Sequence, residues 1–142
     1  MKNSAIEGKD SDWKSIESEI ILTDDFSMKA LEGIDQFSHL EIIFLFDKAE
    51  IGNINTGSRH PRDNKELPKV GIFAQRGKDR PNRLGATIVE LISCSGKTLT
   101  VRKLDALDGT PVIDIKPVMK QFLPEGVVKQ PEWTEIVMKN YW

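Results

Sequence analysis

Apolar positions along the chain recur mostly with a period of two, in short runs. Residues 16–22, with Ile16, Ile20, Ile21 and Leu22, predict a strand that breaks at Asp24 and Asp25. Ser27 to Glu32 predicts a short helix with Ser27 as N-cap, Gly33 at its end, and Met28, Leu31 and Ile34 facing inward. Leu40 to Phe46 is nearly unbroken and rich in β-formers, which fits a central strand. Residues 52–68 are rich in Gly, Asn, Pro and charge, show no period, and predict a long irregular segment of the functional kind. Val70 to Gln75 reads as a strand again. Gly85 to Ser93 alternates Thr87, Val89 and Leu91 against Ala86, Ile88, Glu90 and Ile92. Ser95-Gly96 then turns the chain into Lys97 to Leu104, with Leu99 and Val101 on one face. That is a hairpin, since glycine tolerates the positive φ of a tight turn. Pro111 to Ile115 adds a short strand. Pro131 to Trp142 sets Trp133, Ile136, Val137 and Tyr141 at helical spacing behind a first-turn proline. Many short strands with few helices predict a mainly β fold, a closed or nearly closed small β-barrel.

A chain of 142 residues, 39% hydrophobic and 30% charged, suits one domain over residues 1–142 with one modest core. No apolar run approaches the ~20 residues that span a bilayer, so no membrane association is expected. Met1-Lys2-Asn3-Ser4 leads into polar sequence rather than a secretory signal. The lone Cys94 excludes a disulfide framework and a cysteine-cluster metal site, and a reducing cytoplasm is the simplest setting.

Charge changes the picture more. Residues 1–50 hold 5 Lys and Arg against 12 Asp and Glu, whereas residues 59–83 hold 8 against 3. A pI near 5.7 therefore conceals one compact basic segment. Such segments attract phosphates by releasing counterions from a polyanion, although a solvated loop has the same composition.

Several familiar chemistries are absent. No two glycines lie two apart, so the dinucleotide fingerprint is missing. Gly96-Lys97-Thr98 mimics the end of a P-loop, but position 91 is Leu, and a hairpin turn explains it. His39 and His60 stand alone without zinc-ligand spacing, and no metal site is expected. Nothing resembles a nucleophile elbow.

Two segments concentrate unusual residues. Gln75-Arg76-Gly77-Lys78-Asp79-Arg80-Pro81-Asn82-Arg83-Leu84-Gly85 sets three arginines on a stiff connection between strands. Planar guanidinium groups there suit carboxylates, phosphates or stacked bases. Leu104-Asp105-Ala106-Leu107-Asp108-Gly109-Thr110 runs into a strand that Asp114 interrupts with a charge. Asp105 and Asp108 are placed to accept from a ribose or an amino group, and Asp114 must be paired or exposed.

Phe37-Ser38-His39-Leu40 through Phe46, Arg59-His60-Pro61-Arg62, Gly71-Ile72-Phe73-Ala74-Gln75-Arg76, Arg80-Pro81-Asn82-Arg83-Leu84-Gly85 and Leu107-Asp108-Gly109-Thr110 through Pro117 are ordered and spaced as in one family. From about Trp13 to about Trp133 the chain resembles the TsaA-like family, which contains tRNA N6-adenosine methyltransferases that use S-adenosyl-L-methionine on a β-barrel rather than a Rossmann sheet. The resemblance implies a substrate adenosine beside the tRNA anticodon, carrying a threonylcarbamoyl group on N6, and a homodimer with the cofactor near its interface. It implies a cofactor site lined by Asp47, Lys48, Arg76, Leu84, Leu107, Asp108, Gly109 and Thr110. It implies that Arg59, His60, Arg62, Arg80 and Asn82 face the nucleic acid or complete the pocket. Two departures stand out. The family opens with a strand of the form Ile-Gly-x-Val or Ile, which the chain is expected to enter only at its end, Lys2-Asn3-Ser4, and no counterpart of the C-terminal domain of the longer members is expected. A barrel edge is therefore expected to stand unpaired or to be filled by a partner subunit.

A sulfonium methyl is already electrophilic, so alignment of the attacking nitrogen is the main task of the protein. His60, Asp114, Asp108 or water could accept the N6 proton, and no catalytic residue is assigned. Two other functions fit the same residues: methyl transfer to a small molecule, and a non-catalytic module that binds S-adenosyl-L-methionine or RNA.

Overall fold

The structure, a computed structural model, describes residues 2–3 and 13–142. Its strands are β1 (Lys2–Asn3), β2 (Glu17–Ile21), β3 (His39–Leu45), β4 (Ser58–Arg59), β5 (Val70–Gly71), β6 (Leu84–Ser95), β7 (Thr98–Arg102) and β8 (Val112–Pro117). One α-helix, α1 (Trp133–Met138), and several single 3-10 turns complete the described residues. Six strands form one sheet in the order β1-β2-β7-β6-β3-β8, and β4 and β5 form a separate ribbon. Neighbours in both sheets run antiparallel, which confirms a mainly β, non-Rossmann fold.

The two-residue alternation builds the core. Ile20 of β2, Leu99 and Val101 of β7, Val89 of β6, and Leu40, Ile42 and Phe44 of β3 all point to one side and are buried. Leu31, Leu104 and Ala106 join them. Each of the Val, Leu, Ile and Phe side chains contributes about 1.5–3 kcal/mol relative to exposure. A slip of one residue would turn a whole strand's set into water, so the register is firmly specified. Arg102 pins it further: its guanidinium donates to Glu17 at 2.8 Å and to Glu90 at 3.1 Å, its partners on the two flanking strands.

The β6–β7 hairpin forms as read, with Gly96 at φ +60° in the turn and Lys97 reaching Asp24 at 3.2 Å. Ser27 caps the 3-10 turn Met28–Leu31 through a bond from the Lys29 amide, and Gly33 ends it at φ +82°. Within that turn Leu31 is buried, Ile34 packs on the core from just beyond it, and Met28 is exposed rather than inward.

Three expectations need correction. The six-stranded sheet is open among the described residues, because no ladder joins β1 to β8. β1 contributes only two residues, too few to make a seam along the six of β8. Lys2 and Asn3 do pair with Glu19 and Ser18 along β2, while Ser4 lies outside the described residues. The strand expected over 70–75 ends at Gly71, where a 3-10 turn over Ile72–Ala74 begins. The side chain of Gln75 donates to the carbonyls of Val70 (2.9 Å) and Arg59 (3.1 Å), curling the chain back on itself. The tail helix spans only Trp133–Met138, and Tyr141 lies beyond it.

Candidate functional site

The end of β3 is where distant segments meet. Leu45 is paired with Leu84 of β6, and Phe44 with Val112 of β8. Past the strand, the Leu45 amide donates to the Pro111 carbonyl at 3.0 Å, and the Phe46 amide to the Arg83 carbonyl at 2.7 Å. Asp47 and Lys48, both exposed, therefore emerge between the start of β6 and the loop that leads into β8. That loop carries Leu107, Asp108, Gly109 and Thr110, closed by a bond from the Thr110 amide to the Leu107 carbonyl. Gly109 takes φ +79°, the left-handed region in which glycine is at ease.

Arg76 joins this end of the sheet, because its guanidinium donates to the Ala86 carbonyl of β6. One of five guanidinium donors is used in that bond. Leu84 is an apolar side chain 41% exposed at the mouth of the strands. The residues read as one group from sequence thus lie at one end of one sheet.

The second group sits on the excursion between β3 and β6. Arg59 turns inward rather than toward solvent: its guanidinium meets Asp79 at 2.7 Å, with side-chain exposures of 22% and 12%. Arg59 Nε and Asp79 Oδ1 remain buried without a hydrogen-bond partner. Arg80 donates to the Gln75 carbonyl at 3.0 Å, which leaves Asn82 and Arg62 as the exposed members of the group. Arg62 and Asp63 both take positive φ, at 51° and 56°, and the Arg62 guanidinium lies 5.6 Å from the ring centre of Tyr141. His60 Nδ1 is 2.7 Å from the Leu67 carbonyl. A carbonyl only accepts, so Nδ1 carries the proton there, and Nε2 of the neutral ring is the acceptor.

Of the possible proton acceptors, Asp114 is the weakest. Its exposed carboxylate meets Lys116 at 2.5 Å, and this bond holds its pKa below the ordinary carboxylate value. Asp105 was legible as a polar candidate, but its surroundings were not. Its carboxylate accepts from Thr87 of β6 and, at 2.5 Å, from the Tyr141 hydroxyl. Burial pushes its pKa up, against the opposing pull of both hydroxyls and of the Arg76 charge. The one sequence signal is a carboxylate between Leu104 and Ala106, both buried.

A shallow depression of about 310 Å³ lies at the other end of the sheet, lined by Met28, Lys29, Leu31, Glu32, Cys94 and Gly96. It includes none of these candidate residues and lies roughly 30 Å away along β6.

The sequence profile of the tRNA-methyltransferase O N-terminal domain matches residues 7–122. The chain belongs to this family. The resemblance read from the motifs is thereby borne out. A probable S-adenosyl-L-methionine-binding protein of Pyrococcus abyssi is 37% identical over 109 residues, covering 77% of this chain and 56% of that protein. The tRNA (adenine(37)-N6)-methyltransferase of Mus musculus is 37% identical over 93 residues, covering 66% of this chain but only 21% of the mouse enzyme. A crystal structure of TrmO from Pseudomonas aeruginosa superposes with a TM-score of 0.73 at 26% identity, over 93% of this chain and 57% of that one. This member of the family thus spans about half the length of that archaeal relative and of the solved TrmO chain. No helix among its described residues is long and apolar enough to cross a membrane.

Proposed function

We propose that the chain transfers a methyl group from S-adenosyl-L-methionine to N6 of a tRNA adenosine beside the anticodon, one that already bears a threonylcarbamoyl group. The observation that carries this reading is the convergence of Asp47, Lys48, Leu84, Arg76 and Leu107–Thr110 on one end of the sheet. The names of the archaeal and mouse relatives support the methyl donor and the nucleoside.

The residue types present fit that donor. It carries a carboxylate, an ammonium, a sulfonium and a purine, and supplies an already electrophilic methyl. Lys48 and Arg76 suit the carboxylate, as charge-assisted donors. Asp47 and Asp108 suit the ammonium and the ribose hydroxyls. Leu84 and Leu107 offer apolar surface to a purine, and the exposure of Leu84 is otherwise unfavourable. The protein's main work is to align donor and acceptor, which can lower a barrier by about 7 kcal/mol or more. Asn82, Arg62 and the lysines of residues 59–83 hold anticodon phosphates, which position the RNA without reading its bases. Arg59 and Arg80 shape this surface from beneath, as their inward bonds require. His60, through its bare Nε2, is better placed than the ion-paired Asp114 to take the N6 proton.

The protein acts as a homodimer in this reading. Residues 119–130 are exposed throughout, with Phe122 at 84% and Val127 at 89%, more apolar surface than an isolated extended segment favours.

Incubation with isotopically labelled donor and tRNA, followed by digestion to nucleosides, tests the proposal. Label in N6-methyl-threonylcarbamoyladenosine is expected. Label in small molecules alone, or donor binding with no transfer, would replace it with one of the other two functions.

A further inference from the structure

The matched family domain ends at residue 122, yet the chain beyond it returns to the candidate site. After α1, the Tyr141 carbonyl accepts from the amide of the buried Trp13 at 3.2 Å. Its ring packs edge-on to Trp142, with centroids 4.9 Å apart, and lies beneath the Arg62 guanidinium. Its hydroxyl reaches the Asp105 carboxylate at 2.5 Å, and Thr87 of β6 donates to the other oxygen of that carboxylate. One side chain thus touches the start of the β7–β8 loop and the turn that holds Arg62, while its backbone holds Trp13. Leu104 and Ala106, on either side of Asp105, are fixed in the core, so a tether at Asp105 sets where the chain departs toward Leu107–Thr110.

We propose that Tyr141 is a positioning residue for the methyl-donor site: its hydrogen bond to Asp105 fastens the tail across the base of the Leu107–Thr110 loop and holds that loop ready for the donor. This inference rests on the function proposed above. The tail serves as a latch contributed by residues outside the matched domain. A preorganised loop loses less freedom on binding, so the latch acts through donor affinity rather than through the chemical step.

Tyr141→Phe removes the hydroxyl and keeps the ring. Asp105→Asn keeps an oxygen that can still accept from Tyr141. Amide hydrogen exchange of residues 104–110, measured without donor, is expected to speed about 2- to 10-fold in Tyr141→Phe, the range of one lost hydrogen bond. Calorimetric donor affinity is expected to weaken by a similar factor, with kcat at saturating donor unchanged. Asp105→Asn is expected to fall between the unsubstituted chain and Tyr141→Phe, and the double variant to change less than the sum of the two single variants. Unchanged exchange and affinity in Tyr141→Phe, with the unsubstituted chain binding donor, overturns the latch and leaves the proposed function standing. Failure of the unsubstituted chain to bind donor overturns the function, and the donor half of the latch with it. A loss of melting temperature with no local change in exchange reduces Tyr141 to a general packing role and also overturns the proposal.

Discussion

The ring of Phe44 lies against the bare Cα of Gly85, so closely that a Cβ on Gly85 would stand within 3.0 Å of three ring atoms. The two residues are register partners on β3 and β6, and Phe44 is among the largest fully buried side chains. Only the absence of a side chain at 85 lets the ring come this close to the neighbouring strand, at the step before the strands open toward Asp47 and Leu84.

Gly85→Ala is therefore expected to cost about 1–3 kcal/mol by overpacking, since neither a buried ring nor a paired strand can give way freely. Urea unfolding measures it. A variant within 0.5 kcal/mol of the parent, a margin typical of about neutral surface changes, would show that Phe44 has room to move.

Asp105 predicts a pH dependence of known sign. Its carboxyl titrates higher in the folded protein than in the unfolded chain, where the ordinary value is about 3.9. Between those two values the native state holds more protons than the unfolded one. Its contribution is therefore fully present below the unfolded value and is lost as pH rises through the raised folded value. Asp105→Asn removes the titration. The variant is expected to gain on the parent as pH climbs above the unfolded value and through the raised folded one. Parallel stability curves over that range, from urea titrations at each pH, would contradict the raised carboxyl.

The Arg59–Asp79 pair holds the basic excursion together, so its loss should be felt as stability rather than as lost RNA affinity alone. Asp79→Ala leaves a mostly enclosed guanidinium without its carboxylate and is expected to cost about 1–3 kcal/mol. Arg59→Ala combined with Asp79→Ala should cost less than the sum of the two. Strict additivity in that double-mutant cycle would mean that the pair is not coupled.

Arg76 separates a structural from a ligand role. Arg76→Lys keeps the charge and loses the planar fork, and is expected to weaken calorimetric donor binding about 10-fold. Unchanged binding would restrict Arg76 to capping the Ala86 carbonyl.

If residues 119–130 face a second copy of the chain, Phe122→Ser with Val127→Ser should shift sedimentation toward the monomer without lowering the melting temperature of the sheet. A parent chain that is already monomeric at high concentration would sink the dimer.

The alternation of Leu40, Ile42 and Phe44, and of Leu99 and Val101, made the sheet legible, because a period of two has one physical cause. Gln75 was not legible: its side chain ends β5 by bonding two carbonyls, one of them sixteen residues earlier, and no local pattern records that. Arg59 reads as an outward cation beside Arg62, yet the partner that turns it inward, Asp79, is one acid among many basic neighbours. The open sheet of the described residues is not legible, because strand count carries no information on whether two edges are long enough to meet. Asp105 is legible as a polar residue, but the partners that give it a role, Thr87 and Tyr141, lie eighteen residues before it and thirty-six after it.

Leu45 and Leu84 face each other as the last and first rungs of β3 and β6, so the whole stretch from 46 to 83 is a grossly enlarged hairpin bend. Its two ends are fixed side by side whatever lies between them. A lineage could lengthen, shorten or recolour that bend to suit a different RNA while every rung beneath it stayed in step.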